Sequence, residues 1–154
     1  VHIALVENGS PTHAAVALPD LGVVFSSAES RMVGGPYAKK IAISHNRPPK
    51  VALHIAEKLW YETAAIGSAG AKAMHVLLGD YDAYIHAGGQ YEWDSAAPVG
   101  VAQAAGLHCS RLDGTPLTYN NKDTYLPDIL ICRPELAEEI LSMAAAFHGE
   151  HGRY

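Results

Sequence analysis

Long apolar runs are missing from this chain. No window of its 154 residues approaches the roughly 18 consecutive apolar positions that a membrane-spanning helix needs. Cysteine is scarce: the two residues, Cys109 and Cys132, suit neither zinc spacing nor the dense framework of a small secreted domain. Two structural thiols in a reducing, cytoplasmic setting are the expectation. A surplus of positive charge is missing too, and a net charge of −5 argues against a nucleic-acid backbone as partner. Internal repeats and low-complexity tracts are also lacking. With 49% hydrophobic and 18% charged residues the chain belongs among ordinary globular sequences, not disordered ones.

What is present has a clear order. Residues 1–6, 14–18 and 22–25 are apolar runs separated by turn chemistry, Asn8-Gly9 and then Pro19-Asp20, and predict a three-stranded antiparallel meander. The polar, glycine-bearing stretch after it reads as a loop. Strand signals at 41–44, 61–66, 81–86 and 128–132 then alternate with helical spacing at 51–59, 68–78 and 95–105, and a last helix follows Pro134. A hairpin is expected around Asp113-Gly114. The fold class is therefore α/β, an α+β layered arrangement with mixed sheets packed by helices. Three regions are expected: 1–40, the antiparallel sheet and a loop; 41–147, an α/β substrate-facing domain; and 148–154, a frayed polar tail. The tail carries His148 and His151, read as solvated, while His54 and His75 fall inside helices and read as packing or surface histidines.

Three stretches could carry chemistry. Asp94 follows Trp93 at the start of a helix, where a carboxylate is an ordinary N-cap. Pro98 resists that reading, because its missing N–H leaves the Asp94 carbonyl without a helical donor. Small residues at 95–97 also let another group approach, so a hard cation or the edge of a phosphate site is the competing reading. The second stretch, Gly67-Ser68-Ala69-Gly70-Ala71-Lys72, follows a strand and opens a helix. Its N–H groups could hold an anion, with Lys72 one turn on from Ser68, although the order of residues is not that of a P-loop. A plain serine cap beside a solvated lysine is, taken by itself, the commoner arrangement. The third, Ser44-His45-Asn46-Arg47, ends a strand, where α/β proteins place ligand contacts, or is simply a polar turn before Pro48-Pro49.

Taken in sequence, these stretches resemble a known family. Trp93-Asp94-Ser95-Ala96-Ala97-Pro98 with Ala104-Ala105-Gly106, the Gly67–Lys72 stretch, and Gly79-Asp80-Tyr81-Asp82-Ala83-Tyr84 resemble signature elements of the inositol monophosphatase superfamily. VHIAL, NRPP, GSAGAKAM, DAYIHAGGQYEWDSAAP and LPDILICRPEL are similar to its bacterial 3'-phosphoadenosine-5'-phosphate phosphatase branch, the 3'(2'),5'-bisphosphate nucleotidases. The resemblance covers nearly the whole chain. It implies the C-terminal part of an αβαβα sandwich and Mg²⁺-dependent removal of the 3'-phosphate from 3'-phosphoadenosine 5'-phosphate, a step of sulfur assimilation. It implies Asp94 as a Mg²⁺ ligand facing the scissile phosphate. It also implies Ser44, His45, Arg47, Gly67, Ser68, Lys72 and Trp93 as contacts to a small phosphorylated nucleotide. Lys72, where a plain inositol monophosphatase would carry Asn, favours a second phosphate. Inositol monophosphate and fructose 1,6-bisphosphate remain alternative substrates.

The chain departs from that family in one respect. The Glu-Glu pair and the Asp-Pro-x-Asp-Gly-Thr motif, which supply the family's other metal ligands, are absent. The chain begins without Met, directly on an apparent strand, and is expected to be the C-terminal part of the enzyme. Its missing partner would then be the N-terminal half, and the chain alone would be an inert phosphate- or nucleotide-binding fragment. A sheet edge left open in this way would favour self-association, with a homodimer as the expected form.

Overall fold

Asn8 and Gly9 set the first strand pairing. Both adopt positive φ, 51° and 80°, as a two-residue hairpin turn requires. They join β1 (His2–Glu7) to β2 (Ser10–Leu18), and a 3₁₀ turn at Pro19–Leu21 leads into β3 (Val23–Ser26). The three form an antiparallel sheet in the order β1-β2-β3, as the turn chemistry predicts. This computed structural model describes residues 1–153.

The second sheet has the order β5-β4-β6-β8-β7. Its strands are β4 (Lys40–Ser44), β5 (Glu62–Ile66), β6 (Ala83–Tyr91), β7 (His108–Ser110) and β8 (Tyr125–Cys132). β4 runs parallel to β5 and to β6, while β8 is antiparallel to β6 and β7, so the sheet is mixed as expected. The connecting helices are α1 (Lys50–Leu59), α2 (Ala69–Leu78), α3 (Glu92–Ala104) and α4 (Ala137–His151).

Side-chain alternation along β6 places the layers. Tyr84 faces one core with α2 and α3, whereas Ala83 and Ile85 face the other with α1 and α4. The first core also takes in Ala14 and Val16 of β2. The stacking is thus three-stranded sheet, α2 and α3, five-stranded sheet, α1 and α4. Residues 1–40 share their core with the rest of the chain, so position 40 marks a change of sheet and no break in packing. No helix of the described residues is long and apolar enough to cross a membrane.

Several expected boundaries move. β6 does not stop at His86; it continues through Gly88-Gly89 as a bulge to Tyr91. Ala87 pairs with Asp128 and Gln90 with Leu126, which leaves Pro127 opposite the bulge, where no ladder donor is needed. β8 therefore starts at Tyr125, before that proline. β7 and β8 are joined by the connection 111–124; at Asp113-Gly114 it makes the expected tight turn, closed by Gly114 N–H on the Arg111 carbonyl (3.0 Å) and Arg111 N–H on the Thr115 carbonyl (2.9 Å), but no strand continues from it to pair with β7. α4 extends to His151, into the stretch expected to fray, with Phe147 and His151 stacked at 4.5 Å.

Two buried carboxylates organise the loops. Asp82 accepts the Ala38 and Lys39 N–H groups at 3.1 and 2.6 Å and so holds the long segment before β4. Asp128 accepts both Nε and Nη2 of Arg111 at 2.8 Å and the Leu112 N–H at 2.7 Å.

Candidate functional site

The strands β4, β5 and β6 run parallel, and the three candidate stretches, Ser44–Arg47, Gly67–Lys72 and Trp93-Asp94, lie just past their carboxyl ends. That is where α/β sheets place ligands, because helix N-termini and loops converge there. β4 leads into Ser44–Arg47, β5 into Gly67 and α2, and β6 into its bulge and α3.

At the start of α2, Ser68 is the N-cap, and its hydroxyl accepts the Ala71 N–H at 3.2 Å. Lys72 is not the solvated lysine of the plain reading. It is 5% exposed, donates to the Ile66 carbonyl at 3.1 Å, and lies 5.2 Å over the Tyr84 ring. No carboxylate pairs with it among the described residues, and burial lowers its pKa. A buried ammonium without a counter-charge is costly unless an anion completes it.

At the start of α3 the structure corrects the expected register. The helix begins at Glu92, three residues before the predicted start at Ser95, with Tyr91 in extended conformation as its N-cap. Asp94 is therefore the third helical residue and not the cap. Its Oδ2 accepts the Tyr91 N–H at 2.9 Å, folding back over the helix entrance, while Oδ1 makes no hydrogen bond among the described residues. Pro98 still stands four residues on, with no N–H to offer the Asp94 carbonyl. Trp93 is exposed and stacks on Tyr91, ring centroids 4.8 Å apart and planes nearly parallel at 4°.

At the end of β4, Ser44 Oγ accepts the Arg47 N–H at 3.3 Å, and Arg47 Nη2 reaches the Gly89 carbonyl at 3.4 Å. Arg47 thereby joins the β6 bulge. His45 and Gly67 are exposed on the same connections.

Two residues that the sequence reading passed over sit at the centre. His86 is 6% exposed. Its Nε2 donates to the Gly88 carbonyl at 2.8 Å, and its Nδ1 has no partner. Burial lowers its pKa, the Gly88 bond opposes this, and the charges of Lys72, Arg47 and Asp94 all reach it. Gln90 donates to the Tyr84 hydroxyl at 3.0 Å and leaves its own Oε1 without a partner. The alternation of Tyr84 and His86 along one strand face was the available signal. A third residue, His2 of β1, lies against the start of both helices: burial lowers its pKa, the nearby Trp93 backbone and the Asp94 charge pull it back up, and a Cβ on Gly70 would collide with its ring. Gly70 is thus required by His2, not by helix geometry.

These residues lie past the same strand ends: two cations, two helix N-termini and one carboxylate with a spare oxygen. Lys72 packs under the β5–α2 connection, Arg47 bridges to the β6 bulge, and Asp94 keeps Oδ1 without a hydrogen bond among the described residues. Among the described residues no three metal-ligating side chains cluster. Elsewhere, His75 pairs with Asp80 at 2.8 Å, His54 packs on Phe147, and both cysteines are free thiols whose pKa burial raises, Cys132 to about 12. None of these belongs to the site.

Comparison with known proteins fits this geometry. A family model described as the inositol monophosphatase family matches residues 1–147. A 3'-phosphoadenosine 5'-phosphate phosphatase of Mycobacterium bovis is 52% identical over 155 aligned positions, covering 94% of this chain and 58% of the relative. The 3'(2'),5'-bisphosphate nucleotidase CysQ of Escherichia coli is 30% identical over 139 positions, covering 82% of this chain and 56% of the relative. The chain thus spans under three-fifths of the length of these curated relatives. Among solved structures, a staphylococcal inositol monophosphatase II superposes with a TM-score of 0.76 at 20% identity, over 97% of this chain and 64% of that one.

Proposed function

The chain belongs to the inositol monophosphatase family, and from that premise we propose that it forms the substrate-facing part of a metal-dependent phosphatase acting on 3'-phosphoadenosine 5'-phosphate. The observation that carries this reading is Lys72, a buried ammonium with no carboxylate partner among the described residues, one helical turn from the Ser68 cap. A substrate with one phosphate at the metal and a second elsewhere needs such a cation. Arg47 and the unpartnered Nδ1 of His86 supply further polar capacity beside it. The names of the mycobacterial and enterobacterial relatives agree with that substrate.

Asp94 fits one ligand position of a Mg²⁺ ion through its uncommitted Oδ1, and the rest of a relative-length protein supplies the remaining carboxylates. When bound, Mg²⁺ would polarise the phosphoryl oxygens and the attacking water and stabilise the leaving oxygen. The chain's own residues do the rest. The N-terminal N–H groups of α2 and α3 face the substrate anions, Lys72 and Arg47 neutralise the non-reacting phosphate, and Trp93-Asp94 fix the approach to the reacting one. Sheet β1-β2-β3 presents Ile3 (70% exposed), Leu5 (52%) and Val24 (70%) outward, an apolar face suited to packing against that remaining part.

The test is phosphate release by the full-length protein. Asp94→Asn should reduce turnover of 3'-phosphoadenosine 5'-phosphate by about 10³-fold or more, as removal of a metal-holding carboxylate does. Lys72→Ala should raise KM for the bisphosphate by about 10-fold or more while changing inositol monophosphate hydrolysis little. Equal losses on both substrates would remove the case for a bisphosphate. A specific observation supports a second reading for residues 1–154 alone: with one available carboxylate and no cluster of three among the described residues, they should bind the nucleotide without turning it over.

A further inference from the structure

The first turn of α3 is held from outside by a group that the proposed chemistry does not use. Glu92, the first helical residue, is 8% exposed. One carboxylate oxygen accepts the Asn120 N–H at 2.8 Å; the other accepts the Asn121 N–H at 3.0 Å and Asn121 Nδ2 at 2.7 Å. All three donors are neutral and come from the 111–124 connection, not from the helix. The same connection returns two further bonds to the helix entrance. Glu92 N–H donates to the Thr124 carbonyl at 2.9 Å, and Ser95 Oγ bonds the Tyr119 hydroxyl at 3.0 Å. Asn120 adopts a positive φ of 62° within this wrap, so the loop is bent to bring its N–H groups onto the carboxylate.

A carboxylate placed in the first turn already suits the helix dipole. That alone does not call for burial, or for three donors drawn from a loop long enough to be unusual in a compact domain. The residues gripped on either side of Glu92 are Tyr91, whose N–H is bonded by Asp94, and Trp93-Asp94 themselves. On the opposite side, β1 packs against α3, with His2 near the Trp93 backbone. Rotation of the Asp94 carboxylate is therefore limited by its own bond to Tyr91, and the turn that carries it is fixed between a loop and a strand.

We infer that Glu92 is a positioning residue for Asp94: it fastens the 111–124 connection to the first turn of α3 and thereby sets the direction in which the Asp94 carboxylate meets a metal ion. This rests on Asp94 being a metal ligand. Outer groups that orient ligands typically contribute 10–100-fold to metal affinity, while a mere loop tether contributes to stability alone. Glu92→Gln keeps the size but turns an N–H₂ toward a backbone N–H, which breaks one side of the grip.

The experiment titrates Mn²⁺ into the full-length protein by calorimetry, with thermal unfolding measured in parallel. It compares Glu92→Gln, Asp94→Asn and Asp128→Asn, the last being a carboxylate of similar burial that pins Arg111 and Leu112. The expected result is a loss of Mn²⁺ affinity of about 10-fold or more for Glu92→Gln, against a change within about twofold for Asp128→Asn at equal or larger loss of Tm. Unchanged Mn²⁺ affinity in Glu92→Gln, or losses in both variants that simply follow Tm, would overturn the assignment. If Asp94→Asn itself binds Mn²⁺ as tightly as the native protein, the reading of Asp94 fails and takes the inference with it. That outcome is distinct from failure of Glu92 alone.

Discussion

The two sheets of this chain are built to opposite rules. The inner strands of the five-stranded sheet are covered on both faces and read as near-continuous apolar runs, unlike the exposed edge strand β5: Ile41, Ala42 and Ile43 in β4, and Ile129 to Cys132 in β8, are all 3% exposed or less. The three-stranded sheet alternates. Along β1 the side chains of His2, Ala4 and Val6 turn inward while Ile3, Leu5 and Glu7 turn outward. An alternating strand with one wet face should be polar on that face. Here the outward set is largely apolar, and β3 adds Val24 to it. The difference teaches where the chain is self-sufficient and where it is not: the five-stranded sheet completes its own core, and the three-stranded sheet completes only half of one.

That contrast can be broken at its strongest point first. Ile85 is fully buried in the central strand β6, between α1 and α4. Ile85→Ala should cost about 2–5 kcal/mol, read as a shift of the urea midpoint at unchanged slope. Val16 is equally buried in β2, against α2 and α3. Val16→Ala removes two methyl groups and should cost about 2 kcal/mol. A Val16→Ala variant of native stability would mean that the three-stranded sheet is a loose appendage, and the shared core described above would be wrong.

Much of this was legible in the sequence, and what was not has physical causes. The strand–helix order after residue 40 could be read because Pro48-Pro49, Gly67-Ser68 and Gly106 punctuate it with backbone chemistry. The entrance of α3 could not. Tyr91-Glu92-Trp93 looks like strand continuation, and a short acidic side chain after it looks like a cap, yet the cap here is a tyrosine backbone and the acid sits one turn inside. Gly88-Gly89 reads as a break because glycine usually ends a strand; it is a bulge because Pro127 opposite asks for no donor. Of the site, Ser68, Lys72, Arg47 and Asp94 were visible as residues at element ends. His86, Gln90, Glu92 and His2 were not, since each depends on which face of a strand or turn a tertiary partner covers. His2 in particular needs β1 to lie beside α2, which no local spacing encodes.

The smallest expected effect is the sharpest test of the comparison. Ile3 and Leu5 stand on the outward face of β1, and both are more than half exposed. In residues 1–154 alone, Ile3→Thr with Leu5→Thr should change stability by less than about 0.5 kcal/mol per site, because the apolar area is largely in water already and β-branched threonine suits a strand at both positions. In the full-length protein the same pair should cost several times more if a further layer covers that face, since each buried side chain of this size contributes about 1.5–3 kcal/mol. Urea midpoints of the two forms, with and without the substitutions, give the answer as a difference of differences. Equal and small effects in both forms would mean that the bare face is bare in the whole protein as well. The rest of a relative-length chain would then have to approach Asp94 from the side of the exposed Trp93 and Tyr91, without packing on this sheet.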